Sequence, residues 1–179
     1  MFDEEDMLKG FLLAAVSLTA AATVWGTVAH ATNVKERFTD WEVEELVDKM
    51  DDTTRGIAIA RSVGTPRAAL LVKCDSVGDG MYVQVLGPYQ GETGRDKTRP
   101  FVYRVDKQSK TEEQWRYVKD GAVQFDAEKA RWFSRFIMNG KTLLVRQYSH
   151  QFETTDIEFP IAGAKQAMER VFAICKATF

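Results

Sequence analysis

Hydrophobic positions along this chain change period three times. Trp41 and Val43 alternate with acidic residues before Glu45 breaks the pattern into Leu46 and Val47, which predicts a first strand from Trp41 to Val47. Asp51-Asp52-Thr53-Thr54 then supplies side chains that cap backbone groups in a turn. Over Gly56 to Val63 the alternation places Ile57, Ile59 and Arg61 on one face, predicting a half-buried strand. Gly64-Thr65-Pro66 breaks it. Ala68 to Cys74 is more continuously apolar and predicts a central strand. Gly78-Asp79-Gly80 is a hairpin signal leading into a strand from Met81 to Leu86. Phe101 to Val105, Trp115 to Val118 and Ala122 to Phe125 predict further strands, the last two joined by a Lys119-Asp120-Gly121 turn.

The period then becomes helical. Asp126 is a suitable N-cap, Ala130, Phe133, Phe136 and Ile137 form one stripe, and Asn139-Gly140 supplies the stop. Strands are predicted again at Lys141 to Tyr148 and Thr155 to Phe159. A second helix follows, with Ala164, Met168, Val171, Phe172 and Cys175 on its apolar stripe. This order predicts a single α+β domain: an antiparallel sheet with two helices packed on it.

Composition changes the picture at the N-terminus. Phe11 to Ala31 carries no charge and ends in Ala29-His30-Ala31, a pattern that signal peptidase cuts, here between Ala31 and Thr32. Residues 1–31 therefore read as a signal peptide and 32–179 as the exported domain. Asp3, Glu4, Glu5 and Asp6 are foreign to an export signal, and a start at Met7 would remove them. The competing reading is a retained inner-membrane anchor, since the apolar run is near the shortest that spans a bilayer. Cleavage takes Lys9 and those four acids from 24 basic and 26 acidic residues, leaving a net charge of +1. That balance offers no basic stripe for nucleic acid and no polybasic membrane surface. A membrane contact is expected only if the segment stays uncleaved.

The chain has two cysteines, Cys74 and Cys175. An even pair in an oxidising compartment reads as a disulfide, with two buried free thiols as the alternative. The second helix turns Cys175 toward the core, within reach of a central strand ending at Cys74. The spacing is not the C-x-x-C of a redox pair.

Candidate chemistry is sparse. After cleavage His150 is the single histidine, and Ser149 beside it on a strand would point to the other face. No metal-ligand spacing is present, and Gly87, Gly91 and Gly94 lack the Lys-Ser/Thr of a phosphate loop. No cofactor is implied. Asp40, Glu42 and Glu44 read as a solvated strand face. Trp115, Tyr117, Trp132 and Phe133 read mainly as core, with Trp132 off the helix stripe and so a candidate ligand contact. Gly87 to Pro100 is the longest loop, either mobile or functional. Its Arg95, Lys97 and Arg99 are the candidate partner contacts.

Several segments together resemble a known family. They are Trp41, Asp51-Asp52-Thr53, Leu70-Leu71-Val72-Lys73-Cys74, Val102-Tyr103-Arg104-Val105-Asp106, Trp115, and Ile157 to Gly163 leading into a helix that ends at Cys175. Their order resembles the TagO/VasI group, exported accessory proteins associated with type VI secretion. Lys73 stands where that group usually has arginine, and Pro160 interrupts the last segment. The resemblance implies a periplasmic domain with paired cysteines and no enzyme activity, whose partner is an envelope protein or cell-wall component. Two other classes remain: a cell-wall-polymer hydrolase, and an envelope exclusion or defence factor held by an uncleaved N-terminal helix.

Overall fold

A computed structural model describes residues 34–75, 80–119 and 121–176. The expected signal segment, its Ala31/Thr32 cleavage point and the Met7 start lie outside them. The strands are β1 (Val34–Phe38), β2 (Trp41–Val47), β3 (Thr54–Arg61), β4 (Ala69–Asp75), β5 (Tyr82–Leu86), β6 (Arg99–Val105), β7 (Thr111–Val118), β8 (Gly121–Gln124), β9 (Thr142–Tyr148) and β10 (Thr154–Pro160). The helices are α1 (Ala127–Ile137), between β8 and β9, and α2 (Ala164–Ile174), after β10.

All ten strands form one antiparallel sheet in the order β1-β2-β3-β4-β5-β8-β7-β6-β9-β10. The expected α+β class is therefore corrected: the described chain is mostly β, with two helices of eleven residues each. The sheet coils far enough to bring its flanks together, so it encloses much of the core itself. Val63, just past β3, bridges Glu158 of β10. The Trp41 indole N–H donates to Ile161 O (3.2 Å), and Ala162 N donates to the Asp40 carboxylate (3.0 Å). Trp41, Phe101, Tyr103, Trp115, Phe133 and Phe159 are fully buried in the resulting core.

On β3 the inward face is the one that carries the small residues. Gly56, Ala58 and Ala60 are buried, while Ile57 and Ile59 are only half-buried. Helix α2 packs over β3 at close range, and an added side-chain carbon at Gly56 would lie 3.3 Å from Val171 O. Small residues admit the helix where isoleucine would hold it off.

Helix α1 begins where Asp126 accepts from the backbone N–H of Glu128 (3.0 Å) and Lys129 (3.1 Å). Its carboxylate satisfies two of the free first-turn donors and complements the helix dipole. Asp126→Ala should lower the unfolding free energy by about 1 kcal/mol, read from urea denaturation.

Cys74 and Cys175 are bonded, with Cα atoms 6.0 Å apart. The bridge ties β4 to the C-terminal end of α2. Gly56 pairs with Cys74 across the ladder and leaves the space that both sulfurs fill. No helix among the described residues is long and apolar enough to cross a membrane.

Candidate functional site

The long segment between β5 and β6 is pinned from beneath. Inward positions alternate along β6, so Arg99 points the same way as Phe101 and Tyr103 and is 8 % exposed. Its guanidinium lies 4.4 Å over the Tyr117 ring. One terminal nitrogen donates to Gln90 O (2.8 Å) and Tyr148 O (2.7 Å), and the other donates to Gly91 O. A rigid fork of donors suits three fixed carbonyls, and stacking on an aromatic face sets its plane.

Other contacts hold the same segment. Gln90 also accepts from the His150 backbone N–H (2.9 Å), and its side chain donates to Thr155 Oγ1 (3.1 Å). Thr93 N donates to Tyr117 O (3.0 Å), while Thr93 Oγ1 accepts from Tyr117 N (3.0 Å). Gly91 has φ 79°, and a side chain there would meet the His150 ring at 2.9 Å. Burial pushes the Tyr117 hydroxyl up to about 12. That neutral hydroxyl donates to Pro100 O (2.9 Å) and accepts from Tyr148 N (3.1 Å).

Beyond these anchors the segment faces solvent. Tyr89 is 65 % exposed, and Arg95 and Lys97 are exposed. Gly87, Tyr89, Glu92 and Lys119 line a shallow, open depression of about 460 Å³. The structure thus places Arg95 and Lys97 on the surface, as a contact role requires, and removes Arg99 to the interior as the anchor. Trp132 lies elsewhere. It is 44 % exposed on α1, stacks on Phe136 (5.1 Å) and meets Tyr103 edge-on (6.4 Å). Tyr103 is four residues from Arg99 along β6, roughly 13 Å of strand.

Glu113 is a residue that the sequence reading missed. It accepts from Tyr103 Oη (2.5 Å), Trp115 Nε1 (2.9 Å) and Gln124 Nε2 (3.3 Å). Burial, then this hydrogen bond, pushes the Tyr103 hydroxyl far above its ordinary value. Three donors on one carboxylate make Glu113 a fixed acceptor for the core aromatics. Glu42 and Glu44 pair with Arg61 and Lys35, and Asp40 serves the Ala162 turn. His150 is exposed in the β9–β10 turn. Among the described residues no three His, Cys, Asp or Glu side chains come together as a metal-holding group.

These features define a disulfide-bonded, mostly β domain with a pinned surface loop. The fold is shared with a solved structure described as invasion associated protein B from Bartonella henselae. The likeness has a TM-score of 0.50 at 15 % identity and covers 80 % of this chain and 99 % of that one. No family model matches this chain. No curated protein matches it either.

Proposed function

We propose that this chain is an exported accessory protein of the cell envelope, acting in the periplasm by binding rather than by catalysis. The observation that carries the reading is the 87–98 segment: it is anchored by a buried arginine yet presents Tyr89, Arg95 and Lys97 to solvent. A surface held in one shape loses little conformational entropy when a partner docks. The Cys74–Cys175 bond supports an oxidising compartment. The sequence resemblance to the TagO/VasI group supports an accessory role beside a secretion apparatus, with an envelope protein or cell-wall component as partner. Among the described residues that line the depression, Glu92 is the single carboxylate, which favours binding over paired-carboxylate hydrolysis.

Site-specific photo-crosslinking in intact cells tests this. A photoreactive residue at Tyr89 or Lys97 should give a discrete adduct, and one at Lys165 on the exposed side of α2 should not. Equal labelling at all three positions, or none, would remove the loop as the contact surface.

A further inference from the structure

We propose a second binding surface, for an acidic polysaccharide, on the outward face of β4, β5, β8 and β7. Four side chains from these four adjacent strands form one row. Lys73 Nζ lies 5.4 Å from the Tyr82 ring centre. Tyr82 lies 6.0 Å from the Phe125 ring, just past β8, and Arg116 lies 4.7 Å over Phe125. Strand register explains the row. Lys73 pairs with Tyr82, Val83 pairs with Gln124, and Val123 pairs with Arg116, a diagonal neighbour of Phe125. The alternate residues Val72, Val83 and Tyr117 are buried, so the row lies on the outer face. Phe125 is 51 % exposed there.

The chemistry points to an anion carried on a ring-shaped scaffold. Several outward cations on neighbouring strands have carboxylate partners: Arg55 binds Asp75, Arg61 binds Glu42 and Lys35 binds Glu44. Among the described residues Lys73 instead meets a neutral acceptor, Gln84 Oε1 (3.4 Å), and a ring. Arg116 is stacked on a ring, which orients its donor fork toward whatever approaches. Neither makes an ion pair among the described residues. Three strand spacings, roughly 14 Å, separate the two cations. That span suits an oligosaccharide better than a single sugar, with carboxylates at the cations and ring faces against Tyr82 and Phe125. A membrane fits less well. The rings lie along a sheet face rather than projecting from a loop tip. This surface is distinct from the 87–98 loop and does not depend on its role.

The probe is a purified oligogalacturonate titrated calorimetrically into the purified protein at low ionic strength. Saturable binding should appear, weaken as salt is added, and be absent with a neutral oligomannose. Lys73→Ala and Arg116→Ala should each weaken binding about tenfold with an unchanged urea midpoint. Arg116→Lys should lose most of what Arg116→Ala loses, because charge alone does not replace the fork. No saturable binding, equal affinity across the variants, or loss of binding explained by a lowered midpoint would overturn the proposal. So would variant-sensitive binding to phosphatidylglycerol vesicles without binding to the oligogalacturonate.

Discussion

Replacing Cys74 and Cys175 together by alanine should lower the unfolding free energy by roughly 4 kcal/mol, enough to remove much of a small domain's stability. The bond joins positions 101 residues apart, so its loss frees a long loop in the unfolded ensemble. In the chain-entropy account a loop of about 100 residues is worth roughly 4.7 kcal/mol. The native state loses packing as well, because both sulfurs fill the space beside Gly56 under α2. Urea denaturation of the double variant, compared with wild type before and after reduction, measures the effect. Reduced wild type should approach the variant. A loss under about 1 kcal/mol would mean that α2 stays docked through its Val171 and Phe172 contacts alone.

Arg99→Met should cost roughly 3 kcal/mol and release the 87–98 segment. Methionine fills much of the same volume and removes the donors. The carbonyls of Gly91 and Tyr148 then lose the guanidinium as donor, while Gln90 O keeps the His150 N–H, and each buried group left short carries a desolvation penalty. Arg99→Lys should recover little, since an ammonium offers neither the planar fork nor the stack on Tyr117. Arg95→Ala and Lys97→Ala, on the exposed part of the segment, should stay within about 0.5 kcal/mol of wild type. Limited proteolysis separates the cases. Cleavage between positions 92 and 98 should accelerate in Arg99→Met and not in the two surface variants. Unchanged stability with an intact loop would refute the anchor role.

The difference between those two predictions marks how far the sequence could be read. Helix α1 was legible because its signals are local: a capping aspartate, a 3.6-residue stripe and an Asn-Gly stop. The cysteine pairing was legible because a chain with two cysteines has a single possible internal bond. Arg99 was not. Arginine is usually exposed, and only the register of β6 against β7 and β9 turns this one inward, beneath carbonyls brought from positions 90, 91 and 148. No local pattern carries that information.

Strand β1 was missed for a related reason. Its sequence, Val34-Lys35-Glu36-Arg37-Phe38, is mostly charged, and it forms an edge whose charges are answered by distant partners. Glu36 and Glu45 both bind Arg170 of α2 (2.6 and 2.7 Å). On β3 the alternation alone left the buried face open, and the close approach of α2 selects the smaller side chains. Glu113 was not legible as an acceptor for two core aromatics, because Tyr103 and Trp115 converge on it only in the folded sheet.

The most direct test of an exported, disulfide-bonded domain is the intact mass of the protein from envelope fractions, alkylated before and after reduction. The account predicts a mass beginning at Thr32, with both cysteines alkylated only after reduction. A full-length mass with both thiols alkylated without reduction would contradict export and the bond together.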